Sequence, residues 1–331
     1  MNRRDFIALA AGASAVPLLR LRAAGAQTKA MPTIGFLGSE SPALFGEQLR
    51  LFRKGLSDAG FVENRNVAIE YRWANGRNDR LPALAADLVR LRVSVIVAPQ
   101  STPAALAAKA ATQTIPVIVF TAGDPIALGL VTSLSRPGGN VTGVASLGRD
   151  LAPKRLELLH QLVPGAALMG LLVNPSNPAI ADSTSKVARE AAEALGLALK
   201  IVRAGTEGDF EPAFAELARA QAGGLVIAID SFFTGRRQQL AAMALKHGLP
   251  AIYQYRDFAA AGGVMSYGGS LAEAFGLVSL YTARILNGER PADLPVQEAT
   301  KIELVVNVKA AKALKLAVPP LLLARADAVI E

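Results

Sequence analysis

Short apolar runs rich in β-branched residues recur along this chain, and each gives way to a polar turn and then to an amphipathic stretch. Residues 32–38 (PTIGFLG), 93–98 (VSVIVA), 115–120 (IPVIVF) and 140–146 (NVTGVAS) have the length and composition of buried strands, and 66–74 (NVAIEYRWA) alternates as a strand does. Between them, 45–61 places Leu49, Phe52, Leu56 and Ala59 on one helical face and stops at Gly60. Residues 78–92 and the alanine-rich stretch behind Pro103 read as further helices. About five βα units thus precede residue 146, which predicts a parallel sheet covered by helices on both faces.

A second series begins near Pro153. Helical patterns at 154–163, 209–221 and 236–248 alternate with strand patterns at 168–173, 197–204, 223–229, 249–255 and 262–268. A long helix, 270–291, is stopped by Gly288, and residues 292–316 give a connector, a strand and a short helix. The expected fold class is α/β, with two doubly wound parallel-sheet lobes. VASLG (144–148), MSYGG (265–269) and LPVQEAT (294–300) are the expected crossings between them. The first lobe then holds 32–146 and 270–297, and the second holds 147–269 and 298–331. Three crossings make a hinge, with a cleft that closes on a ligand.

The candidate chemistry collects where strands end, the edge at which open α/β sheets bind ligands. The strand at 93–98 leads into Ser101 and Thr102 ahead of Pro103, and the strand at 115–120 leads into Thr121 and Asp124 ahead of Pro125. A proline at a first helical position is preorganised for the helix, so both segments are expected to open helices whose N-termini favour an anion. Capping accounts for Thr102 and Asp124 equally well. Ser39 follows the first strand. In the second series Asn174, Asp230, Phe232, Tyr253 and Tyr255 fall at or just past strand ends.

The N-terminus changes the reading of charge and location. Arg3-Arg4 before Asp5-Phe6-Ile7 resembles a twin-arginine export motif, residues 6–19 are apolar, and Ala24-Gly25-Ala26 suits cleavage before Gln27. Residues 1–26 are therefore expected to be an export signal, with the mature protein in the periplasm. Removing them lowers the net charge from +8 to +5, spread over about 305 residues with no basic run longer than Arg236-Arg237. Nucleic acid is not an expected partner. There are no cysteines, so the core alone must hold the exported fold.

Enzyme chemistry finds no footing. The two histidines, His160 and His247, sit in helical patterns far apart, with no metal-ligand spacing. No G-x-S-x-G, P-loop or G-x-G-x-x-G motif occurs, and Gly138-Gly139-Asn140 precedes a strand rather than a helix. No catalytic residue, metal or cofactor is expected.

GFLGSESP, IEYRWANGRNDRLPALAADLV, STPAALAAKAATQTIPVIVFTAGDP, GLVTSLSRPGGNVTG, LLVNPSNP, FFTGRRQQL, MSYGGSLAEAF and PADLPVQEATKIELVVN form a collinear series. With that series, the chain resembles the ABC-transporter substrate-binding proteins of the tryptophan/tyrosine-type group, which have the type I periplasmic-binding fold. The resemblance implies a monomeric carrier that captures a small molecule, an amino acid or related carboxylate, and delivers it to an ABC permease. Membrane contact would run only through the permease. It implies that Ser101, Thr102 and Thr121 meet a carboxylate and Asp124 an ammonium. Asn174, Asp230 and Tyr253 would face them, and Phe232, Tyr255 or Trp73 would flank an apolar side chain. Two other functions remain open at this stage: a sensory receptor read by a signalling partner, and a cleft hydrolase.

Overall fold

The structure, a computed structural model, describes residues 31–146 and 150–331. The expected export signal, 1–26, lies outside the described residues, as do 147–149 of the first expected crossing. In chain order the first half gives β1 (Thr33–Gly38), α1 (Gly46–Asp58), β2 (Ala68–Trp73), α2 (Leu81–Arg90), β3 (Val95–Ala98), α3 (Thr102–Ala111), β4 (Val117–Thr121) and β5 (Val141–Ser146). The second gives α4 (Ala152–Leu162), β6 (Leu168–Val173), α5 (Pro178–Ala194), β7 (Ala198–Arg203), α6 (Phe210–Arg219) and β8 (Gly224–Ile227). It continues with α7 (Ser231–Gly235), α8 (Arg237–Lys246), β9 (Ala251–Tyr253), α9 (Arg256–Ala260) and β10 (Met265–Gly269). The tail gives α10 (Leu271–Leu286), β11 (Gln297–Ala299), β12 (Ile302–Asn307), α11 (Val308–Ala313), α12 (Pro320–Arg325) and β13 (Ala328–Ile330).

These strands make two sheets. The first runs β11-β5-β4-β3-β1-β2 and is parallel throughout. The second runs β13-β12-β10-β9-β8-β6-β7, and its one antiparallel pair is β10 with β12. The α/β two-lobe architecture of the sequence is therefore present. The first sheet reaches Ala299, so the boundary expected after residue 297 falls inside β11.

Core strands β3 and β4 are fully buried β-branched runs, as central parallel strands must be. Helix α10, although it follows the second lobe's β10, lies on the first lobe against α1. There the Ser279 hydroxyl donates to the Phe52 carbonyl at 2.9 Å. A Cβ at Gly55 would come within 2.6 Å of that hydroxyl, so glycine is what lets the two helices approach so closely. The chain passes between lobes at Ser270 and again at Thr300-Lys301. These two crossings are tied together: the Ser270 amide donates to the Lys301 carbonyl at 3.1 Å, and the Lys301 amide to Glu273 at 3.0 Å.

One expected helix is absent. After Asp124 the chain makes a single turn, in which the Leu128 amide donates to the Asp124 carbonyl and the Leu130 amide to Pro125. Gly129, at φ +66°, then takes the left-handed conformation that ends such a turn. Pro125 does start a turn, but a glycine four residues later and the Thr132-Ser133 pair behind it give the helix nothing to propagate on. Thr121 and Asp124 consequently do not precede a helix N-terminus.

The interlobe cavity as candidate functional site

The first lobe builds its wall from the ends of β3 and β4. Ser101 is the N-cap of α3, its hydroxyl accepting from the Ala104 amide at 3.2 Å. Thr102, the first residue of α3, is buried, and its hydroxyl lies 2.9 Å from that of Thr121, the last residue of β4. The Thr121 hydroxyl also accepts from the Gly123 amide at 3.3 Å. Two neighbouring strands thus bring a hydroxyl pair to the N-terminal end of a ten-residue helix, where the peptide dipoles favour negative charge.

The second lobe answers with a carboxylate. Asp230 follows β8 and caps α7, accepting from the Phe232 amide at 2.9 Å. Its other acceptor positions take Asn174 Nδ2 at 2.9 Å and Asn177 Nδ2 at 2.8 Å. Burial pushes the Asp230 pKa up, and the three hydrogen bonds and the more distant Arg236 charge only partly oppose that push. A buried carboxylate held by neutral donors keeps an uncompensated preference for a cation.

Between the walls the closed cleft leaves a cavity of about 10 Å³, room for about one water molecule. Gln100, Thr102, Phe120 and Thr121 line it from the first lobe, and Asn177, Asp230, Ser231 and Tyr255 from the second. Its walls are drawn together so closely that a ligand enters only when the lobes part.

Among the described residues, direct bonds across the cleft hold the lobes in this arrangement. Arg236 donates to Glu40 at 2.7 Å across the cleft, while Nε reaches Glu207 on its own lobe at 2.9 Å. The Arg236 guanidinium also lies over the Phe232 ring, 4.0 Å from its centre. The Glu40 side chain is only 3% exposed; burial raises its pKa, and the Arg236 hydrogen bond opposes the rise. Ser39 and Ser231 hydroxyls meet at 3.0 Å, and Asn78 Nδ2 donates to the Ser176 carbonyl at 3.0 Å.

The residues singled out from sequence divide accordingly. Thr102, Thr121, Asp230 and Tyr255 line the cavity, Ser101 and Asn174 brace its walls, and Ser39 joins the lobes at its edge. Four do not reach it. Asp124 turns its carboxylate to the Ile126 amide at 2.8 Å, a local turn bond outside the lining. Phe232 is buried between Phe210, Phe233 and the Arg236 guanidinium. Tyr253 is fully buried and stacks on Phe258 at 4.7 Å. Trp73 packs with Phe36, Phe45 and Tyr71 in the first lobe's core. Replacing Asp124 with alanine is expected to cost about 0.5–1.5 kcal/mol of stability and to leave ligand affinity unchanged. Thermal melting and ligand titration on the same variant check this, and a tenfold loss of affinity at unchanged melting would put Asp124 back among the contacts.

Sequence reasoning missed Gln100, Asn177 and Ser231 on the lining and the Glu40–Arg236 pair across it. Asn177 had a usable signal, since it stands in the same strand-end loop as Asn174. The ion pair had none, because its partners are 196 residues apart.

Two parallel-sheet lobes, joined by chain crossings and closing on a cavity at their strand ends, define a solute-binding protein. The family described as ABC transporter substrate binding protein matches residues 40–330, and the chain belongs to that family, one of binding proteins rather than enzymes. A curated relative, the tyrosine-binding protein of Clostridioides difficile, is 27% identical over 268 residues, spanning 80% of this chain and 75% of that one. A solved ABC domain from Streptococcus pneumonia in complex with L-Trp superposes with a TM-score of 0.79 at 24% identity, covering 90% of this chain and 99% of its own. The ligand-free, open structure of a substrate-binding protein with adhesive properties from Clostridium difficile gives 0.60 at 26% identity, with the same coverage. The lobes here stand closed, as the bonds between them already show. No helix among the described residues is long and apolar enough to cross a membrane, and no described cluster of His, Asp and Glu could hold a metal ion.

Proposed function

We propose that this ABC transporter substrate-binding protein captures an α-amino acid with an aromatic side chain, of the tyrosine or tryptophan kind. The observation that carries the reading is the polarity of the cavity. A hydroxyl pair and a helix N-terminus form one wall, and a buried carboxylate that makes no ion pair among the described residues forms the other. A zwitterion satisfies both at once: its carboxylate meets Thr102, Thr121 and the amide end of α3, and its ammonium meets Asp230. Phe120, Ile229 and Tyr255 supply the apolar surface for a ring. The names of the tyrosine-binding relative and the L-Trp complex point the same way.

In this reading the protein works as a monomer in the periplasm and passes its ligand to an ABC permease. The test is mass spectrometry of the small molecule released when the purified protein is denatured. An aromatic amino acid supports the reading, and a sugar or other neutral solute sinks it.

The export route is a separate proposal, resting on Arg3-Arg4 and the apolar run behind them. Replacing both arginines with lysine is expected to leave the precursor in the cytoplasm, read by fractionation and immunoblot. Undiminished export of that variant would point to the general secretory route.

A further inference from the structure

We propose that Gln100 and Tyr255 together read a hydroxyl at the end of the ligand's side chain, so that the site selects a phenol over a plain phenyl ring. This rests on the amino-acid reading above and deepens it. Gln100 follows β3 and holds a left-handed backbone, φ +58°, although it is not glycine. Such strain persists only where the surroundings impose it, and it gathers at ligand-contacting positions. The side chain so placed lines the cavity and is 9% exposed, and neither Nε2 nor Oε1 has a hydrogen-bond partner. Across the cleft Tyr255 lines the same cavity at 3% exposure, and its hydroxyl is likewise unpartnered. Gln100 and Ser146 both stand close to the Tyr255 hydroxyl, but no hydrogen bond of good geometry joins it to either.

The contrast with the rest of the cavity makes these atoms informative. Thr102 is bonded to Thr121, and Asp230 is held by two asparagines and a backbone amide. Buried polar groups in folded proteins are nearly always paired, and each exception calls for a physical account. Gln100 offers a donor and an acceptor, and the Tyr255 hydroxyl can serve as either. A ligand hydroxyl, which donates and accepts at once, matches that set. An indole N–H satisfies an acceptor only, and a phenyl ring satisfies nothing and seals the polar atoms against carbon. Sites built to hydrogen-bond a substrate hydroxyl discriminate strongly against the analogue that lacks it.

The test is calorimetric titration of the mature chain with L-tyrosine and with L-phenylalanine, which differ by that one hydroxyl. The wild-type protein is expected to prefer tyrosine by roughly 10- to 100-fold. Gln100→Met, similar in length but without polar side-chain N or O, is expected to bring the ratio to within about threefold. Tyr255→Phe should narrow it as well, and provides a second reading if Gln100→Met melts early. Equal affinity of the wild type for both ligands overturns the inference and leaves the amino-acid reading standing, as does a tyrosine preference that survives both variants. Failure of both ligands, with a different class of molecule released on denaturation, overturns the amino-acid reading and this inference with it.

Discussion

Asp230→Asn is expected to lose roughly 10- to 150-fold in affinity for an α-amino acid, equivalent to ~1.5–3 kcal/mol, the worth of a charge-assisted hydrogen bond. Asparagine keeps the shape of the group. Its oxygen can still take Asn174 and the Phe232 amide, and Asn177 can turn its amide to accept from the new NH2. What disappears is the charge facing the ligand ammonium. The pH dependence gives an independent check. Burial raises the Asp230 pKa above its ordinary value, so this group's contribution to folding is full below the unfolded carboxylate pKa and is lost as pH rises through the raised one. Ligand binding runs the other way, because the ammonium needs the ionised carboxylate. Affinity should therefore fall as pH drops through the raised pKa in the wild type, and Asp230→Asn should flatten that fall. Calorimetric titration at a series of pH values reads both effects.

Arg236→Met is expected to open the protein. In the closed arrangement Glu40 is buried with Arg236 as its cross-lobe partner, and removing one member of a buried ion pair typically costs ~3–5 kcal/mol. Opening the lobes hydrates Glu40, so the penalty falls on closure and not on folding of either lobe. Glu40 can limit the loss by taking up a proton, toward which burial already biases it. The net expectation is a loss of roughly 100-fold in affinity, with a larger radius of gyration in solution scattering and little change in melting. Adding Glu40→Gln to Arg236→Met removes the stranded charge and should recover most of the closure. A single variant that stays as compact as the wild type would show that the pair is ornamental to closing.

Much of this architecture was legible in the sequence because it is repetitive. Buried parallel strands advertise themselves as short β-branched runs, and glycine or proline punctuates them, so β3, β6 and β8 lie within the expected runs and β4 outruns its own by Thr121 alone. The segment after Pro125 shows the limit of that logic. A start signal says nothing about whether a helix propagates, and Gly129 ended it within one turn. The site was half legible for a related reason. Strand ends could be located, and Thr102, Thr121, Asp230 and Tyr255 line the cavity there. The direction a side chain takes there depends on local bonds, and Asp124 turned back on its own loop. Phe232 and Tyr253 pack inward instead, Phe232 against Phe210 and Tyr253 on Phe258, where the ring contacts bury their apolar area. Gln100 was hidden by its ordinary identity: only the backbone angle and the unpartnered amide distinguish it. The Glu40–Arg236 pair joins different lobes, and no local pattern encodes a contact made only when two sheets close.

The clamp on a zwitterion is the centre of the account, and removing each ligand charge in turn tests it most directly. L-tyrosine, its methyl ester and its N-acetyl derivative would be titrated into the wild-type protein and into Asp230→Asn. The account predicts that the ester and the N-acetyl compound each bind roughly 10- to 150-fold more weakly than the amino acid, and that Asp230→Asn no longer distinguishes N-acetyl-tyrosine from tyrosine. Wild-type protein that binds the ester or the N-acetyl compound as tightly as tyrosine itself would contradict it.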